Sequence, residues 1–276
     1  YSDAEQMFET ALQKDPNSGE AMAGLVNTYD VEKKPAAKTI ARINTQIAKA
    51  PQNALFWTLL GRVQSSAGDK NAAKSSFQHV LSINGADVTA LTMLGQLQVS
   101  TGDLDGAATN YQKLVDTNPR SATPLIMLGT LEQSRGNLDH AQQLYQKALD
   151  IEPGQPVAAN NLAYLMLERG GNIDVAITLA QTAVRGMPNN PSTADTLGWA
   201  YYRKGVYGSA RDVLESAAKA APENANIQFH LGMTYDKIAD QDKATAHLKR
   251  ALQLAPNGPN AASIRHVLSS QGIRAE

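Results

Sequence analysis

Four residue series repeat along this chain with one period, spaced 34 or 35 residues apart. A small residue recurs, each time preceded by leucine, at Gly61, Gly95, Gly129, Ala163, Gly198 and Gly232. Alanine recurs at Ala73, Ala107, Ala141, Ala176, Ala210 and Ala244. Proline recurs at Pro16, Pro51, Pro119, Pro153, Pro188, Pro222 and Pro256, and Gly85 fills the one gap. A period of this length is typical of stacked supersecondary units, each of which buries an apolar face against its neighbours.

Within one period, the apolar residues indicate two amphipathic helices. In residues 122–153, leucines at 125, 128 and 131 mark a first helix, and apolar residues from 138 to 148 mark a second. Gly136 lies between them, where a helix C-terminus favours a residue that tolerates positive φ. Polar residues that follow such glycines are predicted to begin or cap the second helix: Asp69, Asp103, Asn137 and Asn172. Proline then ends the second helix.

These residues resemble the tetratricopeptide repeat (TPR) family over nearly the whole chain. One unit matches the family pattern at Trp57, Leu60, Gly61, Ala73 and Phe77, and another at Leu197, Gly198, Tyr201, Ala210, Ala217 and Pro222. The resemblance implies an all-α, right-handed superhelical solenoid of about seven TPR helix hairpins, with an N-terminal half-repeat and a C-terminal capping helix. It also implies a concave groove lined by the first helix of each hairpin.

We therefore expect one solenoid over residues 1–276, with sixteen helices. The predicted parts are a half-repeat at 1–18, repeats at 19–53, 54–87, 88–121, 122–155, 156–190, 191–224 and 225–258, and a capping helix and tail at 259–276.

The first full repeat departs from the pattern, because Thr39, Ile43 and Gln46 stand where alanine, an aromatic residue and alanine are expected. We expect an irregular hairpin there, and the N-terminal end is predicted to be the less stable.

The composition contains little that could support catalysis. The formal net charge of −1 gives no electrostatic reason to expect a nucleic acid or anionic membrane partner. No apolar run approaches the roughly 20 residues that a membrane-spanning helix needs. Cysteine is absent, and no two of the five histidines have the spacing that would pair them on one helix face. We predict that the chain is not an enzyme and has no cofactor or metal site.

Aromatic residues that depart from the packing pattern indicate where a partner binds. By the resemblance, the second, fifth, ninth and twelfth positions of each repeat face the groove. The predicted groove residues lie in the last three repeats, and they are Asn160, Tyr164, Asp195, Trp199, Tyr202, Arg203 and Phe229. Aromatic and arginine anchors beside polar side chains are typical of binding hot spots. Alternatively, these rings pack against the neighbouring first helix and close the superhelix.

The leading interpretation is a scaffold that binds a protein or peptide in its groove. Some TPR proteins grip a C-terminal carboxylate with lysine and asparagine, but the corresponding positions here hold Ala23, Asn27, Thr58 and Arg62, so that clamp is not matched. One alternative is a structural solenoid that self-associates. Another is an enzyme regulator fused to an N-terminal domain.

A narrower resemblance concerns origin and pathway. The stretches 159–164, 195–199 and 230–232 look like repeats of bacterial TPR lipoproteins associated with exopolysaccharide and PEP-CTERM protein export. The resemblance implies a bacterial periplasmic or outer-membrane-associated location, with the bacterial cytoplasm as the alternative, and the lack of cysteine agrees with the envelope. Because the chain opens inside a half-repeat, we expect any targeting segment to precede Tyr1.

Overall fold

A computed structural model describes residues 2–273, which fold into sixteen α-helices and contain no β-strand. The helices are α1 (Ser2–Lys14), α2 (Gly19–Val31), α3 (Ala36–Lys49), α4 (Ala54–Ser66), α5 (Lys70–Ile83), α6 (Val88–Thr101), α7 (Leu104–Thr117), α8 (Ala122–Ser134), α9 (Leu138–Ile151), α10 (Pro156–Glu168), α11 (Ile173–Gly186), α12 (Pro191–Lys204), α13 (Tyr207–Ala220), α14 (Ala225–Lys237), α15 (Gln241–Leu254) and α16 (Ala261–Ser270). The predicted all-α fold class is confirmed. Tyr1 and residues 274–276 of the predicted tail lie outside the described residues.

The chain divides between α8 and α9 into two compact units, Tyr1–Arg135 and Gly136–Glu276. In the first unit, each helix from α1 to α8 packs on its neighbours in sequence, and α4 also contacts α2 and α6. In the second unit, the same holds from α9 to α16, and α12 also contacts α10 and α14. First helices of successive hairpins therefore lie side by side within each unit. A single solenoid over the whole chain stays a prediction.

The turns inside most hairpins contain a glycine at the end of the first helix, as the sequence predicts. Glycine adopts positive φ after the first helix at Gly68, Gly102, Gly136, Gly170 and Gly205. Asp69, Asp103 and Asn172 then accept a hydrogen bond from a backbone N–H of the second helix, and Asn137 holds the same N-cap position. Two hairpins place a residue with a side chain in the left-handed region, at Lys33 (φ 54°) and Ala239 (φ 61°).

Small residues bring the two helices of a hairpin together. A Cβ atom added at Gly95 would lie 2.3 Å from Cε1 of Tyr111 on the second helix, and one added at Gly198 would lie 2.5 Å from Cγ of Leu214. Neither distance leaves room for a methyl group. The backbone of the first helix therefore packs directly on the buried side chain of the second, as the recurrence of small residues predicts.

The first hairpin, α2 and α3, lacks this close packing. Val26 occupies the place of the recurring small residue, and Thr39 the place of the recurring alanine; both side chains are buried. Two β-branched side chains hold the helices apart, so α3 packs mainly on α4 rather than on its own partner α2. The irregularity predicted for this repeat thus has a steric cause.

Ion pairs connect successive repeats at a constant separation of 30 residues. In each, a carboxylate in the first turn of a second helix meets a cation at the end of the next first helix: Asp105 with Arg135, Asp139 with Arg169, and Asp174 with Lys204. Both charges complement the helix dipoles. The carboxylates are well exposed, so each pair stabilises by only about 0–1 kcal/mol.

At the C-terminal end, α16 covers the last hairpin as predicted. Ile264 and Leu268 are buried in a cluster with Leu248 and Leu252 of α15, and Val267 packs at its edge. None of the helices between residues 2 and 273 is long and apolar enough to cross a membrane.

We predict that the N-terminal repeats open before the others. The poor apposition of α2 and α3 weakens one hairpin and its interface, and repeat stability is approximately a sum of such terms. In native-state hydrogen exchange, amides of residues 2–50 should exchange sooner than those of residues 122–256. Equal protection along the chain would contradict this.

Replacing Ala239 with glycine should stabilise the protein. The left-handed conformation costs a residue with a side chain about 1–2 kcal/mol, which exceeds the added entropy of glycine in the unfolded chain, about 0.5–1 kcal/mol. Urea unfolding should therefore show a gain of roughly 0.5–1 kcal/mol. The matched control is Ala246→Gly, at an exposed site inside α15, where the same change should destabilise by about 1 kcal/mol. Shifts of the same sign would refute the argument.

Candidate functional site

The predicted groove residues lie on α10, α12 and α14, all within the second unit. Pro156 and Pro191 occupy the first helical position of α10 and α12, where a missing N–H costs nothing. Asn160 and Tyr164 are four residues apart, as are Asp195 and Trp199, so each pair lies on one face of its helix. The structure brings Trp199, Tyr202 and Phe229 together in one cluster of rings.

Trp199 lies at the centre of that cluster. Its ring stacks on Tyr202 with centroids 4.5 Å apart and on His230 with centroids 4.1 Å apart, at interplanar angles of 7° and 18°. Phe229 approaches at 5.9 Å and is tilted by 48°. These contacts join α12 to α14, so the alternative interpretation, packing against the next first helix, describes part of what Trp199 does.

His230, which is not among the predicted groove residues, lies against the predicted residues Asp195 and Trp199. Its side chain is buried, and Nδ1 lies 2.8 Å from Oδ1 of Asp195. A carboxylate oxygen accepts hydrogen bonds, so in this pair the Nδ1–H of His230 donates a hydrogen bond to Oδ1 of Asp195. Asp195 and His230 lie 35 residues apart, one more than the 34 that separate equivalent positions of these two repeats, and an acid and a histidine at nearly one period are the signal that could have found the pair.

Phe229 is not on the accessible face. Its side chain is only 7% exposed and is packed with Leu248, Leu252 and Ile264. The prediction that its ring lines the groove is therefore corrected: the fifth position of this repeat turns inward, because α16 extends the core beneath it. Phe229 supports the ring stack from below.

Arg203 connects two first helices. Its Nη1 donates to the backbone carbonyl of Leu167, 2.8 Å away, near the end of α10. A cation at the C-terminal end of a helix satisfies an unpaired carbonyl and complements the dipole. Arg203 thus holds α12 against α10 and remains exposed at the edge of the predicted site.

Tyr164 is the most accessible ring of the set, at 37% exposed. Partial burial raises the pKa of its hydroxyl, and the nearby carboxylates of Glu168 and Asp195 add to the effect. The pKa of Tyr202 is raised mainly by burial as well, with Tyr207 and Asp236 contributing. Both phenols therefore stay neutral at pH 7 and can donate hydrogen bonds.

Two buried polar atoms at this site have no hydrogen-bond partner among the described residues: Oδ1 of Asn160 and Nε1 of Trp199. Unpaired buried polar groups cost roughly 1–3 kcal/mol each. Asn160 Oδ1 is an acceptor and Trp199 Nε1 is a donor, and both are shut off from solvent in this structure. Within residues 2–273, no group of three or more histidines and carboxylates could hold a metal ion.

The geometry and the repeat define a helical-hairpin scaffold, and comparison with known proteins identifies its family. The tetratricopeptide repeat family matches residues 92–156, 126–191 and 196–259, and a second description of the same repeat matches residues 54–87. The chain therefore belongs to the tetratricopeptide repeat family. TPR domains are in general non-catalytic scaffolds that bind protein or peptide partners, which agrees with the interpretation from sequence.

Several known proteins are similar to this chain. Cell division cycle protein 27 homolog A of Arabidopsis thaliana is 29% identical over 92 residues, covering 33% of this chain and 13% of that protein. The APC/C hetero-tetramer Cut9–Hcn1 contains a chain with a TM-score of 0.67 and 19% identity, covering 95% of this chain and 51% of that one. The Pseudomonas aeruginosa pilF structure has a TM-score of 0.64 and 19% identity, covering 76% of this chain and 96% of that one. Likeness at this identity shows the fold alone, and this chain spans only part of the first two proteins.

Proposed function

We propose that the chain is a scaffold that holds a protein or peptide partner against the first helices α10, α12 and α14. The observation that carries this is the exposed ring of Tyr164 on α10, one helical turn from Asn160, whose buried Oδ1 lacks a partner among the described residues. Binding hot spots are enriched in tyrosine, tryptophan and arginine, and all three residue types lie on this face.

The predicted residues divide into two roles under this proposal. Tyr164 and Asn160 contact the partner, and Asp195, which His230 orients, accepts hydrogen bonds from it. Trp199 and Tyr202 form a rigid aromatic wall. Phe229 and Arg203 hold that wall in place from below and from the side. A preformed wall reduces the entropy lost on binding.

We further propose that the partner belongs to a bacterial envelope or export assembly. Two features support this: the stretches around Asn160–Tyr164 and Asp195–Trp199, which look like those of export-associated TPR lipoproteins, and the fold shared with Pseudomonas aeruginosa pilF. Fractionation of the source cells tests it. Recovery of the full-length protein from the cytoplasm alone would contradict an envelope role.

Two substitutions test the binding face. Tyr164→Ala should weaken partner binding by about 2 kcal/mol or more, as hot-spot truncations do. Because the ring is partly exposed, it should cost little stability, within roughly 1 kcal/mol. Trp199→Ala removes the centre of the ring stack and should cost on the order of 3 kcal/mol of stability. Thermal melting and affinity capture from the source lysate, measured for both variants, check these values.

The matched control is Val175→Ala, which truncates another exposed apolar side chain on the second helix α11. A protein captured by the parent and by Val175→Ala but lost with Tyr164→Ala supports the proposal. Equal capture by all three would refute it. Light scattering at several concentrations decides the alternative, since a self-associating solenoid would gain mass with concentration and Tyr164→Ala would leave that gain unchanged.

A further inference from the structure

Two cavities lie side by side in the first unit, away from the face described above. The first, of about 240 Å³, lies between α2, α3 and α4; the second, of about 260 Å³, lies against α4 and α6. Leu59 and Arg62 line both cavities. The two are therefore adjacent along one surface and share a boundary at α4.

The first cavity lies in the first hairpin, where α2 and α3 do not pack closely. Val26 and Thr39, the two β-branched residues that keep α2 and α3 apart, both line it. Leu59 and Val63 supply apolar surface from α4. The cavity thus has one apolar wall, formed by Val26, Leu59 and Val63, and polar residues along the rest of its lining, at the place where the other hairpins have glycine or alanine and are closed.

The second cavity is also lined by aliphatic side chains. Leu55 is 42% exposed, which is high for a leucine, and Met93 of α6 lines the same space. An exposed large apolar side chain beside a concave surface is a usual feature of a binding site. Each cavity therefore has an apolar wall against which an aliphatic side chain can pack.

Arg62 is the charge that lies between them. It is exposed and makes no ion pair or hydrogen bond with any of the described residues. The other cation at the first cavity, Lys34, is held by Glu5 and Glu32. Asp30 lines only the first cavity, and Asp87 lines only the second, where its side chain caps α6. The charge pattern along the surface is negative, positive, negative.

We propose that this surface binds an extended peptide segment in which an acidic side chain on Arg62 is flanked by an aliphatic side chain in each cavity. An extended chain projects alternate side chains to one side about 7 Å apart, which lets neighbouring cavities be filled together. Guanidinium and carboxylate form strong, often bidentate hydrogen bonds. Asp30 and Asp87 disfavour further acidic residues at the two ends. This second site does not depend on the face of α10, α12 and α14.

Fluorescence anisotropy with synthetic peptides tests the proposal on the full chain. The probes are acetylated, amidated, fluorescein-labelled peptides with leucine two or three residues on either side of a central glutamate, glutamine or lysine. The parent should bind the glutamate peptides about tenfold tighter than the glutamine peptides, as a charge-assisted hydrogen bond implies. The lysine peptides should bind most weakly.

Reversing the charge of Arg62 is the most direct test of the proposed preference for an acidic side chain. Arg62→Glu should invert the order, so that lysine peptides bind best, while the control Arg120→Glu, an exposed arginine elsewhere in the first unit, should keep the parent order. Thr39→Leu, which fills the first cavity, should weaken all peptides that bind the parent while leaving the glutamate preference intact. Melting curves confirm that each variant is folded.

Three results would overturn the proposal: no binding of any probe to the parent, equal binding of glutamate and glutamine peptides, or an unchanged order in Arg62→Glu. The Tyr164→Ala variant should bind the probes like the parent. Loss of probe binding in that variant would instead assign these peptides to the face in the second unit.

Discussion

The close approach of two helix backbones inside each hairpin is the constraint on which the rest of this structure depends. At Gly95 the first helix packs directly on the ring of Tyr111, and at Gly198 another packs on Leu214; neither site has room for one more carbon atom. A hairpin closed in this way is thin and presents two faces. Inside a stack those faces are buried by the repeats before and after, and the surface that stays exposed is left for sequence variation that does not disturb the stack.

The two proposed binding functions follow from what occupies the exposed surface in each unit. In the second unit the hairpins are closed, and rings accumulate on the first helices around Trp199, with His230 and Asp195 joining neighbouring repeats. In the first unit one hairpin is held open by Val26, and the space becomes a cavity beside an unpaired arginine, Arg62. The closed hairpins of the second unit and the one open hairpin of the first unit thus produce two different surfaces.

Most of the architecture could be predicted because it depends on periodic local chemistry. The glycine before Asn137 and the cap at Asp103 are local signals, and the structure places both as expected. Burial depth could not be predicted the same way. Phe229 occupies a groove position by repeat numbering, yet α16 covers it, and His230 is buried where it pairs with Asp195 of the preceding repeat. Both outcomes depend on contacts between repeats, whereas repeat position specifies only a helix face.

The urea stability of Gly95→Ala tests the central claim most directly. Glycine-to-alanine changes inside a helix normally stabilise by about 0.5–1 kcal/mol. If close approach controls the hairpin, this change should instead destabilise by about 1–3 kcal/mol, because the new methyl group overlaps the buried ring of Tyr111. Gly208→Ala, in a helix with no atom within 4 Å of the added carbon, should show the normal gain. A gain in both variants would contradict the account.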